Sequence, residues 1–118
     1  MADCFHRAVP EDELSEGKTC AVALNGWFIL LTRYEDAVSA VVNTCTHANA
    51  LLSDGRFRRG TILCPLHGAR FDVRSGACTG GGYLPLKTFK TRASGGWIEI
   101  ELPEEPPGAQ FMPVNPRA

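Results

Sequence analysis

Two short segments constrain this chain more than any others, Cys45-Thr46-His47 and Cys64-Pro65-Leu66-His67. Each offers one soft thiolate and one imidazole, and 16 residues separate His47 from Cys64. Each sits where an apolar, β-rich run gives way to a loop. A fold that serves both must bring two loop tips together, so that they close on one metal centre like pincers. Two donor sets answer to that pattern. One is an iron–sulfur cluster. The other is a Cys2His2 zinc site, although zinc sites usually run as a cysteine pair followed by a histidine pair.

The rest of the chain reads as strands and turns. Cys4 to Val9 is a strand candidate, and the acidic stretch Pro10 to Gly17 has room for one helical turn. Lys18 to Leu24 and Trp27 to Tyr34 are apolar runs joined by Asn25-Gly26, a hairpin signal because both positions tolerate positive φ. Val38 to Thr44, Phe57 to Leu63 with a break at Arg59-Gly60, and Ala69 to Val73 follow. Gly80-Gly81-Gly82 interrupts the chain before Tyr83-Leu84-Pro85. Leu86 to Arg92 and Trp97 to Leu102 make a last hairpin, with Glu99 and Glu101 alternating with apolar residues as on a half-buried strand. Short strands at intervals of about 8–12 residues and no long helix predict an all-β fold.

A length of 118 residues fits one domain, assigned to residues 1–102, with a proline-rich C-terminal tail over 103–118 in which Phe111 and Met112 are the candidate anchors. A chain of this size buries roughly 65% of its unfolded surface and needs no staples. The balance of 12 basic and 13 acidic side chains, net −1, excludes a strongly basic nucleic-acid binder. Arg56, Arg58 and Arg59 read as a solvated face, and Asp54, Arg56 and Arg58 equally as the fringe of a docking surface. No apolar stretch approaches the roughly 20 residues of a membrane helix. Met1 to Arg7 lack the basic and apolar regions of a secretory signal, so the expected location is cytoplasmic. Five cysteines at scattered spacings argue against a disulfide framework there. Cys4, Cys20 and Cys78 are expected in small buried or half-buried positions. His6 reads as a surface or packing histidine, and Trp27 and Trp97 as core or edge aromatics.

Taken together, Cys45-Thr46-His47, Leu52-Ser53-Asp54-Gly55, the run Cys64 to Asp72 and Ser75-Gly76 closely resemble the Rieske ferredoxin family. The likeness is greatest to the ferredoxin components of bacterial aromatic-ring-hydroxylating dioxygenase systems, and it spans residues 4 to 102. It implies stacked antiparallel sheets and one Rieske-type [2Fe–2S] cluster, held by Cys45 and Cys64 on one iron and His47 and His67 on the other. Two ferric ions, two sulfides and two thiolates sum to zero, and neutral histidines add nothing. Reduction therefore reaches only −1, which raises the potential into a window of about −150 to +300 mV. The resemblance also implies that His47 and His67 form the electron port and that Gly80 to Pro85 shields the cluster from a third side.

Two departures separate the chain from respiratory Rieske proteins. Those carry a disulfide between the two loops at positions matching Ala50 and Leu66, and serine and tyrosine hydroxyls at positions matching Ala69 and Phe71. Without those hydroxyls the reduced state is less stabilised, which places the potential near the low end of the window, roughly −150 mV. The implied function is single-electron transfer, without catalysis, from a flavin-containing ferredoxin reductase to a terminal oxygenase. Docking is transient, the chain is a monomer, and neither nucleic acid nor membrane is involved. An oxygenase site would need two further histidines and a carboxylate, and only His6 remains. A small subunit of a nitrite-reductase-like complex is the alternative. Permanent association with a large chain would mark it.

Overall fold

The computed structural model describes residues 4–46, 49–66, 68–108 and 111. Among these described residues eleven strands form three antiparallel sheets. They are β1 (Cys4–Pro10), β2 (Thr19–Leu24), β3 (Trp27–Tyr34), β4 (Ala37–Val42), β5 (Arg56–Arg58), β6 (Thr61–Leu63), β7 (Arg70–Asp72), β8 (Cys78–Gly80), β9 (Thr88–Phe89), β10 (Thr91–Ser94) and β11 (Trp97–Leu102). The sheets run β1-β11-β10, β2-β3-β4-β9 and β5-β6-β7-β8. The helical elements include two single 3-10 turns, Glu11–Glu13 and Leu52–Asp54, and Phe111 is in 3-10 conformation as well. No helix among them is long and apolar enough to cross a membrane. The all-β, stacked-sheet architecture expected from the sequence is the one observed.

Turn chemistry sets the hairpins. Asn25 and Gly26 take φ of 51° and 84°, and Arg59 and Gly60 take 52° and 79°. Both pairs have two successive positive φ angles, as in the mirror-image turns whose twist matches paired strands. β3 is the central element: Ile29, Leu30, Leu31 and Thr32 are all buried in succession, so both faces of the strand are covered. Val41, Val42, Ile98, Ile100 and Leu102 complete this part of the core, and Leu52, Ile62, Phe71 and Val73 extend it beneath the third sheet.

Four details differ from the sequence reading. The run Leu86 to Arg92 is divided: β9 pairs with β4, whereas β10 pairs with β11, so the chain changes sheets at Lys90. Gly80 closes β8 rather than opening a break, because Arg70 and Phe71 offer it a partner strand. Glu99 is buried, not solvated. β11 is the middle strand of its sheet, and Arg7 and Arg92 stand opposite Glu99 on its two neighbours. Arg92 Nε approaches its carboxylate to 2.6 Å and Arg7 Nε to 4.0 Å. Cys4 is exposed, not buried or half-buried, because β1 is an edge strand with Cys4 at its outer end. Cys20 and Cys78 are half-buried, Trp27 is core, and Trp97 lies beneath the Arg7 guanidinium, 5.3 Å from its ring centroid. Burial, reinforced by Glu13, raises the pKa of the Cys20 thiol.

In the tail, Phe111 packs on Trp27 with ring centroids 5.2 Å apart, while Met112 lies outside the described residues. Trp27 also meets Phe89 edge-on at 5.4 Å.

At the far end of β3, Glu35 and Asp36 both adopt positive φ, and the Glu16 carboxylate accepts their N–H groups at 2.7 and 2.9 Å. These bonds, that to Asp36 foremost, lower the Glu16 pKa. A carboxylate with a lowered folded-state pKa contributes stability above its unfolded pKa, and that contribution disappears as pH falls through the folded value. Glu16→Gln imitates the protonated form. Its melting temperature should lie below the parent's at neutral pH and converge with it in acid, well under the ordinary glutamate value of about 4.3. Paired thermal melts across that range check this.

Candidate metal centre

Both Cys/His segments occupy loops of one design. After β4 the chain makes a single bridge, Thr44 to Leu51, and Cys45 then donates its N–H to the Ala50 carbonyl at 2.9 Å. After β6, Cys64 donates its N–H to the Ala69 carbonyl at 2.8 Å. Each bond closes a loop of four intervening residues. Each loop ends on a residue with positive φ, Asn49 at 54° and Gly68 at 72°, residue types that tolerate this conformation. Inside the first loop Asn49 N–H returns to the Cys45 carbonyl at 2.7 Å, and inside the second Gly68 N–H returns to Leu66 at 2.6 Å.

The thiol ends of both loops face inward: Cys45 is 0% and Cys64 2% exposed. Ala50 and Ala69, which accept the closing bonds, are buried as well. His47, Ala48 and His67 lie outside the described residues. The structure therefore places the two cysteines of the expected ligand set and leaves its two histidines undescribed. Among the described residues no group of three His, Cys, Asp or Glu side chains gathers as a cation site.

The first loop is braced from behind. Asn43 is buried; its amide donates to Ser53 Oγ at 3.0 Å, and its side-chain oxygen accepts the Ser53 N–H at 2.8 Å. Its main chain bonds Phe28 on β3 and Leu52 in the 3-10 turn. The next residue to matter is Gly55. A Cβ there would overlap the Leu63 carbonyl oxygen, so only glycine lets the return of the first loop lie against the residue before Cys64. The roots of the two loops thus touch through main chain alone.

A third segment leans on the first. Thr46 Oγ1 donates to the Leu84 carbonyl at 2.6 Å. Cys78 Sγ accepts the Tyr83 N–H at 3.3 Å, which curls Gly80 to Pro85 over this side. Cys78 is thus more than a small apolar filler. Asn43 and Cys78 escaped the sequence reading, since an asparagine before a cysteine and an isolated thiol carry no signal until their partners are known. Leu66 and Leu84, 47% and 74% exposed, are the large apolar side chains left in solvent among the described residues.

Two buried thiols presented by like loops fit a centre whose sulfur-ligated side is closed to water. An all-β chain with such paired loops is of the small iron–sulfur class. The Rieske [2Fe-2S] domain matches residues 4–90. The ferredoxin component of a naphthalene 1,2-dioxygenase system from Pseudomonas aeruginosa is 35% identical over 107 residues, which cover 86% of this chain and 99% of that protein. The ferredoxin of carbazole 1,9a-dioxygenase from Nocardioides aromaticivorans IC177 superposes with a TM-score of 0.76 at 34% identity, covering 85% of this chain and 97% of that one. A chain from a complex of reduced oxygenase and oxidized ferredoxin in carbazole 1,9a-dioxygenase gives a TM-score of 0.78 at 26% identity, over 82% of this chain and 92% of that one. The chain belongs to the Rieske [2Fe–2S] family, and a Rieske-type [2Fe–2S] cluster is its cofactor.

Asn43→Ala should cost about 1–3 kcal/mol, because it removes the two side-chain hydrogen bonds that buried Asn43 makes to half-buried Ser53. Denaturant melts check the cost, and iron content per chain should fall with it, since the brace fixes the loop that begins at Cys45.

Proposed function

We propose that this chain is a stand-alone ferredoxin that carries single electrons from a flavin-containing reductase to a terminal ring-hydroxylating oxygenase. The observation that carries this reading is the pair of buried thiols, Cys45 and Cys64, on two loops closed by the same main-chain bond. The relatives named as ferredoxin components of dioxygenase systems support it. So does the ferredoxin–oxygenase complex among the structural neighbours.

Cys45 and Cys64 would hold one iron and His47 and His67 the other. When bound, the cluster supplies reversible one-electron chemistry. The chain's own residues do the rest. Ala69 and Phe71, fully buried and without hydroxyls, give the cluster side of the third sheet no side-chain donor at these positions. Leu66 and Leu84 present apolar surface beside the two loops, suited to brief contact with a partner. The protein performs no bond-making step itself, acts in the cytoplasm and works as a monomer. We place the domain boundary after Leu102, where β11 ends, with the later residues forming a tail that Phe111 pins to Trp27.

Voltammetry on the purified, cluster-loaded protein tests this reading. A reversible one-electron wave near the bottom of the window of about −150 to +300 mV is expected, and Phe71→Tyr should move it upward. A wave above about +100 mV overturns the reading of Ala69 and Phe71. A colourless protein with no wave removes electron transfer altogether and restores zinc.

A further inference from the structure

Side chains alternate across a strand, so the register of the third sheet sorts its residues by face. Phe57, Ile62 and Phe71 align across β5, β6 and β7 on the face that packs on the core. The opposite face carries Arg56, Leu63 and Arg70 in one row and Arg58, Thr61 and Asp72 in the next. Arg59 adds a fourth guanidinium from the β5–β6 turn. Together Arg56, Arg58, Arg59 and Arg70 line an open recess of about 670 Å³ floored by Thr61 and Leu63.

All four arginines are exposed, and they are four of the chain's 12 basic side chains. The ion pairs formed among the described residues use Arg7, Arg33, Arg74 and Arg92 instead. Asp72, the carboxylate on this face, is turned to Ser75, whose N–H and Oγ it accepts at 3.1 and 2.7 Å. Arg56 and Arg58 stand roughly 6.7 Å apart along one strand, and Arg56 and Arg70 roughly 10 Å apart across two strand spacings. These separations lie near or within the screening length of about 8 Å at physiological salt, so the charges act as one patch. Like charges gathered on a sheet face destabilise it. Among the described residues no ion pair compensates them.

We propose that this arginine face is a docking surface for an acidic patch on the protein that exchanges electrons with the cluster. The inference rests on the electron-carrier reading and extends it to the side of the molecule that a partner grips. Leu63 and Arg70 immediately flank the hairpin loop that begins at Cys64, so a partner seated on this face lies beside that loop. An acidic protein fits better than a nucleic acid. The chain is net negative, with Glu11, Asp12, Glu13 and Glu16 exposed elsewhere, and these oppose a long phosphate backbone. The recess is bordered by one aromatic side chain, the half-buried Phe57, and not by a row of exposed rings for base stacking.

The test uses the full-length, cluster-loaded protein and fluorescein-labelled poly-L-glutamate, titrated by fluorescence anisotropy at low and physiological salt. Duplex DNA serves as the comparator. Arg56→Glu/Arg58→Glu should weaken poly-L-glutamate binding roughly tenfold or more. The neutral Arg56→Gln/Arg58→Gln should weaken it less, and parental binding should fade with added salt. Visible spectra and midpoint potentials of both variants should match the parent, which shows that the cluster and the fold survive. Binding that ignores both double substitutions overturns the proposal. DNA bound more tightly than poly-L-glutamate at physiological salt overturns it in favour of nucleic acid. Absence of a redox wave in the parent instead sinks the electron-carrier reading, an outcome distinct from a working carrier with an indifferent arginine face.

Discussion

The bonds from Cys45 N–H to Ala50 and from Cys64 N–H to Ala69 turn two unrelated stretches of chain into equivalent loops. Without them a Cys-x-His and a Cys-x-x-His are only sequence spacings. With them, each cysteine sits just past the end of a strand and each loop has a fixed width. Everything nearby serves to hold the two closures against each other. Asn43 ties the first loop to the 3-10 turn, Gly55 admits the Leu63 carbonyl, and Thr46 fastens the third segment alongside. Rigidity of this kind matters for a redox centre, because a scaffold that does not move on reduction adds little reorganisation to the transfer.

The charges are arranged with the same separation of duties. Where a charge is buried it is met on both sides, as Glu99 is by Arg7 and Arg92. Breaking one member of such a set leaves an uncompensated charge, which costs far more than an exposed pair contributes. On the outer face of the third sheet, by contrast, four exposed charges of one sign stand together outside the ion pairs formed among the described residues. The near-zero net charge of the chain conceals this division.

Much of the architecture could be read from local chemistry. Asn25-Gly26 and Arg59-Gly60 mark turns because glycine and its neighbours must take positive φ, and both turns stand where the sequence puts them. The cysteine loops follow from two adjacent donor types at strand ends. What could not be read depends on strand order. Glu99 looks solvated by alternation and becomes buried only because β11 lies between β1 and β10, each with an arginine in register. Cys4 reads as a buried or half-buried thiol until β1 is known to be an edge. The switch of sheets at Lys90, and the short β8 that Gly80 ends, are likewise decided by partners distant in sequence, where tertiary context overrides propensity.

The exposed leucines and the arginine face suggest how such a carrier divides recognition from release. Leu66 and Leu84 offer too little apolar area to hold a partner for long, and docking contacts between redox proteins fall at the small end of the range, below about 1,200 Å². A patch of like charge changes chiefly the rate of encounter, because it steers over several ångströms before any water is expelled. Exposed charges bind weakly once docked. Steering by arginines on one face and brief apolar contact beside the loops therefore act at different stages: fast arrival is gained without slow departure. That combination suits a protein that must find one partner, pass a single electron and leave for another.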